Sequence, residues 1–231
     1  MSLSSPKTTS PVSRYIEWQG STGKFRSYNK ERKDYDIIEG PIYIVVLDQL
    51  SCVSGYNDDA KKGIFSNEVH NTSTEELSVR YFGGGQIATG LYNDIKGSLP
   101  SGYKFAKSVY AALIDPDTAG VELVNFKFSG SSIGPWIDAK VGDDGRVVVM
   151  TTNPIPQKKG QTTYYEPIVK KNDRREDIIE KCVELDKELQ QYLYSPRQEN
   201  VVKNDYKQHN VYEAPEPQPE PTNVEIDDLP F

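Results

Sequence analysis

Residues 14–33 read RYIEWQGSTGKFRSYNKERK. They set six cations, Arg14, Lys24, Arg26, Lys30, Arg32 and Lys33, among four rings, Tyr15, Trp18, Phe25 and Tyr28. Those residue types together suit one chemistry above others. A flat ring stacks on an unpaired base, at about 1–3 kcal/mol each, while lysine and arginine track the phosphates. Arginine also stacks on rings through its planar guanidinium. The mixture recurs at Lys61 and Lys62, at Arg80 with Tyr81, at Tyr103 and Phe105 beside Lys104, and at Lys158 and Lys159 with Tyr164. Alternation along a strand turns half of any such rings inward, but 14–33 is too polar in composition for a core segment. The expected nucleic-acid contacts are therefore Trp18, Lys24, Phe25, Arg26, Tyr28, Lys61, Lys62, Arg80, Tyr81, Lys158, Lys159 and Tyr164.

Catalytic chemistry has no comparable signature. There is no GxxxxGK[ST] phosphate loop, and Gly83-Gly84-Gly85 reads as a tight turn. Asp115 and Asp117 lie in DPDTAG, and Asp143 and Asp144 in VGDDGR. Both are turn sequences, because Asp bonds its own backbone and Gly permits positive φ. No Cys/His pair or GxSxG elbow supplies a nucleophile with its base. Cys52 and Cys182 are far apart and His70 and His209 share no ligand spacing. That argues against a disulfide scaffold or zinc site and suits a reducing cytoplasm. The expectation is a binding protein, not an enzyme, with no cofactor and no metal. No apolar run approaches the ~20 residues of a membrane span, and MSLSSPKTTSPVSR lacks an apolar signal core, so secretion is not expected.

The elements that must position these residues are mostly strands. PIYIVVLDQLSCV, 41–53, reads as a buried strand, followed by short strands at 63–69 and 77–82. QIATGLYNDIKGSL, 86–99, reads as a helix weakened by Gly90. YKFAKSVYAALI, 103–114, and VELVNFKFSG, 121–130, form a hairpin around DPDTAG. A short helix is expected within 131–142. A second hairpin joins 146–153 to 162–171, its loop PIPQKKGQ carrying Lys158 and Lys159. Asp173 with Glu176 makes a capping box that opens a helix, and Ile178, Cys182, Leu185, Leu189 and Tyr192 share its apolar face until Ser195-Pro196 stops it. Five to seven short strands with two or three helices predict a mainly β fold: an OB-like barrel elaborated by insertions. A β-sandwich gives similar strings. The expected organisation is a disordered N-terminus, 1–13, an OB-like domain binding single-stranded nucleic acid, 14–171, a C-terminal helix, 172–195, and a disordered acidic tail, 196–231.

The net charge of −7 is unevenly placed. Residues 1–171 carry 20 basic and 19 acidic side chains, whereas 208–231 carry none and 6. A balanced body with an acidic tail does not exclude a nucleic-acid face. The tail runs through a Pro/Glu-rich spacer, EAPEPQPEPTN, to NVEIDDLPF. Asp227 and Asp228 precede Leu229, Pro230 and Phe231, a set that fits an apolar pocket ringed by cations in a partner. The same acids are able to compete with nucleic acid for a basic groove within the molecule.

EIDDLPF resembles the acidic tip of bacterial single-stranded DNA-binding proteins, in which aspartates precede Ile/Leu-Pro-Phe. That resemblance implies an OB barrel and a tip that recruits replication and repair proteins. VVLDQLSCVSGYNDDAKKGIFSNEV, 45–69, and VRYFGGGQIATGLYNDIK, 79–96, resemble the single-stranded DNA-binding proteins encoded by tailed bacteriophages, over about residues 35–170. The expectation is therefore a phage-type protein acting in DNA replication or recombination in the cytoplasm of an infected bacterial host. It would coat single strands without strong sequence preference and would bind replication partners through Asp227, Asp228, Leu229, Pro230 and Phe231. Two rivals stay open: a virion scaffolding protein, and a metal-dependent nuclease using some of Asp58, Asp59, Asp143 and Asp144.

Overall fold

The structure is a computed structural model, and it describes residues 10–194. The chain is mainly β, as expected, but has more strands than the sequence predicts. Eleven strands join one sheet in the order β3-β2-β1-β9-β8-β4-β5-β6-β7, with β10 paired to β4 and β11 paired to β10. The strands are β1 (Arg14–Gln19), β2 (Lys24–Asn29), β3 (Asp34–Ile38), β4 (Ile42–Asn57), β5 (Lys62–Ser66), β6 (Leu77–Tyr81), β7 (Gln86–Gly90), β8 (Tyr103–Ile114), β9 (Val121–Ser129), β10 (Arg146–Lys159) and β11 (Thr162–Arg174). All pairings are antiparallel except β1 with β9.

Among the described residues, no strand pairing closes the sheet. It nevertheless curls, because Trp18 Nε1 on β1 and Gly20 O meet the Tyr165 carbonyl and amide on β11, at 3.0 and 2.8 Å. Inside the curl, Ile16, Trp18, Phe25, Ile44, Val109, Phe126, Phe128, Trp136, Val148 and Met150 form one buried cluster. Residues of β1 and β2 share this core with residues of β10, on the far side of β4, which is what a curled sheet requires. Phe128 stacks on Trp136, with ring centroids 4.3 Å apart. Beyond the curl, β5, β6 and β7 extend from the second half of β4 as a flap. Its own core is Val53, Ile64, Val69, Leu77, Val79 and Ile95.

Several expectations need correction. Residues 86–99 are not one helix: β7 is followed by the single turn α1 (Tyr92–Ile95) and a 3-10 turn. Ile87, Leu91 and Ile95 have helical spacing, but Gly90 at φ +148° breaks the segment into a strand and a cap. Lys158 and Lys159 lie on β10, not in a loop, and pair across to Thr163 and Thr162. Asp173 lies within β11, so it opens no helix; α3 begins at Glu176 and runs to Tyr194. The predicted apolar face of α3 holds, with Ile178, Cys182 and Leu189 buried against the sheet. The short helix within 131–142 is α2 (Ile133–Asp138).

Residues 14–33 are the main correction. They form the β1–β2 hairpin, and its polar composition conceals a strict alternation. Ile16, Trp18, Phe25 and Ser27 point into the core, while Tyr15, Glu17, Arg26 and Tyr28 point out.

Candidate nucleic-acid interface

Phe25 is fully buried and Trp18 is 8% exposed. Phe25 is edge-on to Trp18 at 4.8 Å and to Phe126 at 5.9 Å. Neither ring offers a face to a base, so neither is a stacking residue. The opposite face of the hairpin keeps its cations, of which Arg26 and Lys24 are already engaged. Arg26 pairs with Glu17 at 2.7 Å and lies 3.8 Å over the Tyr35 ring. Lys24 pairs with Glu39 at 3.2 Å. Tyr28 contacts Tyr35 edge-on at 5.4 Å.

Lys62 and Tyr81 meet on one face of the flap, with Lys61 in the adjoining turn, whereas Arg80 stands on the other face. Lys61 sits in the β4–β5 turn at φ +50°. Lys62 Nζ lies 5.9 Å from the Tyr81 ring centre. Tyr81 packs on the flap core, which places it on the face opposite Arg80. Lys158, Lys159 and Tyr164 form a third, separate group at the tip of the β10–β11 hairpin.

The strand register exposes a row that the sequence does not. Lys104 on β8 is opposite Ser54 on β4, Ser54 is opposite Phe65 on β5, Phe65 is opposite Arg80 on β6, and Arg80 is opposite Gln86 on β7. Directly opposed residues point to one face. Lys104 and Gln86 are exposed, and Phe65 and Arg80 are half-buried. Tyr56, two residues beyond Ser54, points the same way and is also half-buried. At strand spacings of about 4.8 Å, Lys104 and Arg80 stand about 14 Å apart across the sheet. This is a cation, a ring and a cation in line, with a second ring alongside.

Two features hold the row. Gly102, at φ +84°, lets the start of β8 cross β4: a Cβ there would stand 1.9 Å from the Tyr56 carbonyl oxygen. Asn57 Nδ2 ties the same crossing by donating to the Ser101 carbonyl at 3.1 Å. On the β6–β7 side, Gly83, Gly84 and Gly85 all take positive φ, +85°, +116° and +98°. The triple glycine is the tight turn its sequence implies, and it sets the register of Arg80 against Gln86.

On the reverse face of β8, Phe105 contacts Tyr92 at 4.7 Å. Lys107 donates to Ser51 Oγ at 2.8 Å, and burial lowers its pKa. Burial, followed by the neighbouring Tyr103, raises the Tyr92 phenol. Nearby Cys52 is buried and its thiol is pushed up to about 11, chiefly by desolvation. Asp58 and Asp59 lie in the β4–β5 turn, and Asp144 caps the turn before β10 while pairing with Arg146. Among the described residues, no group of three or more His, Cys, Asp or Glu side chains gathers as a metal site would require. No helix among them is long and apolar enough to cross a membrane.

The electrostatics favour the flap over the face beneath α3. That helix carries Glu176, Asp177, Glu180, Glu184, Asp186 and Glu188 against Lys181 and Lys187. It packs over Val45, Leu50, Tyr110, Ala112 and Leu123, so this part of the sheet is both covered and screened by acid. Comparisons with protein-family models, curated proteins and solved structures return no match. Asp227, Asp228, Leu229, Pro230 and Phe231 lie outside the described residues.

Proposed function

We propose that the protein binds single-stranded DNA without strong sequence preference, as a phage-type coating protein of replication and recombination, and that its role is binding, not catalysis. The observation that carries this reading is the row Lys104–Phe65–Arg80, with Tyr56 beside it, on a sheet face that α3 leaves uncovered. Rings that stack on any base, between cations that hold phosphates, give affinity without a base code. Lys62 lies against Tyr81 on the reverse face of the flap, so it is not part of this row. The curl of the sheet, joined by Trp18 and Gly20 to Tyr165, supports reading that half as an OB-like barrel. The resemblance of EIDDLPF to bacterial tips supports recruitment of replication proteins through Asp227, Asp228, Leu229, Pro230 and Phe231. The bacterial cytoplasm during infection is the matching compartment.

A gel shift on a dT oligonucleotide, with and without magnesium, tests this reading. A retarded band of unshortened oligonucleotide in both lanes supports it. Unchanged mobility favours a scaffolding protein, and a shortened product in magnesium favours a nuclease.

A further inference from the structure

At the other end of β4, an open groove of about 640 Å³ lies beside the start of α3. Its floor is apolar, from Ile114, Pro116 and Val147, with the half-exposed ring of Tyr43 beside them. Lys171, Asn172, Asp173 and Arg175 line its polar side. Lys171 is steadied by donating to the Lys140 carbonyl at 3.1 Å, and Arg175 is held by Asp177 at 2.5 Å. Among the described residues that line the groove, Asp173 is the one acid. Exposed Lys140, Arg146, Lys170 and Arg174 surround this end of the sheet, Arg146 directly opposite Arg174.

We propose that this groove is a second single-stranded nucleic-acid subsite, resting on the single-strand function proposed for the flap. The Tyr43 ring and apolar floor would take one base, and Lys171 and Arg175 the adjoining phosphates. Three observations point to this occupant. The volume falls in the range of pockets that enclose a small ligand, about 300–1,000 Å³. Ring, amide and paired cations are the groups that a nucleotide's base and phosphate use. Along the lining itself Lys171 and Arg175 outnumber Asp173, although Asp115 and Asp117 flank Pro116, and Arg146, Arg174 and Arg175 pair with Asp144, Glu176 and Asp177.

The groove is distinct from the flap row. Tyr43 and Ser54 are eleven residues apart on β4, about 36 Å at strand rise, and α3 lies over the sheet between them. A short oligonucleotide fills one subsite, whereas a long one reaches both. The linked sites then act by effective concentration.

The test uses the full chain and two probes, dT6 and dT30, with the paired variant Lys171→Ala/Arg175→Ala and, separately, Tyr43→Ala. Both charged side chains are exposed, so the fold should survive; an unchanged melting temperature verifies that. The expected result is dT30 binding weakened at least several-fold, with a salt dependence shallower by about 0.7 for each phosphate the protein no longer neutralises, while dT6 binding to the flap is unchanged. Equal dT30 affinity and salt slope in variant and parent overturn the inference alone. Equal weakening of both lengths also overturns it, because the groove would then not be a separate subsite. If the parent binds neither probe, the single-strand reading falls and this inference falls with it.

Discussion

Trp18 Nε1 donates a hydrogen bond to the Tyr165 carbonyl, 3.0 Å away and 147 residues along the chain. This bond crosses the seam where the first strand meets the last, so the indole is a structural staple and not a stacking platform. Trp18→Ala should cost about 3–5 kcal/mol of stability, the range for emptying a buried aromatic site. Trp18→Phe should cost less, about 1 kcal/mol for the lost hydrogen bond to a part-buried carbonyl. Urea denaturation measures both. A Trp18→Ala protein with parental stability and impaired DNA binding would return Trp18 to the ligand face.

Two glycines near the row should respond very differently to alanine. At Gly102 the new Cβ meets the Tyr56 carbonyl at 1.9 Å, so the crossing of β4 and β8 must open. At Gly83 a Cβ meets nothing within 4 Å, and only the positive φ opposes it, at about 1 kcal/mol. Thermal melts should show Gly102→Ala far less stable than Gly83→Ala. Similar melts would mean that the β4–β8 crossing yields easily.

Cys52 and Cys182 report on the fold. Desolvation raises both thiols to about 11. The folded state therefore favours the neutral thiol, and that share of stability is fully present below the unfolded value of ~8.5 and falls away as pH rises from there towards about 11. At pH 8 a thiol reagent should modify neither residue until denaturant is added. Rapid labelling of the native protein would show that the curled sheet or α3 opens locally.

How much of the fold is legible in the sequence depends on how clearly each segment alternates. The bounds of β8, Tyr103–Ile114, follow from sequence because twelve residues of β-branched, alanine and aromatic character sit between glycine and a Pro/Gly turn. β1, β2 and β3 are not legible as strands, because five- and six-residue runs with charged outward positions look like loop by composition. The candidate site is legible in type but not in place. Adjacent residues such as Arg80 and Tyr81 fall on opposite faces of a strand, so closeness in sequence misassigns the pair. Phe65 gives no sign of its place, because only the register, which sequence does not supply, brings it between Lys104 and Arg80.

The acidic tip offers an independent check. Deleting residues 223–231 removes Glu225, Asp227 and Asp228. If these charges compete with phosphates for the same cations, dT binding should tighten, most at low salt where exposed charges are least screened. Weaker binding after truncation would make the tail part of the DNA site.

The most direct measurement is a salt titration of dT30 affinity for the full chain and for Lys104→Ala/Arg80→Ala, run beside a duplex of equal length. The prediction is that the parent prefers the single strand and that its affinity falls steeply between 50 and 200 mM salt. The variant should bind several-fold more weakly, with the slope of log K against log salt reduced by about 1.4, the sum for two phosphates no longer neutralised. Parental affinity and slope in the variant, or equal binding of duplex and single strand, would contradict the placement of the DNA site on the flap.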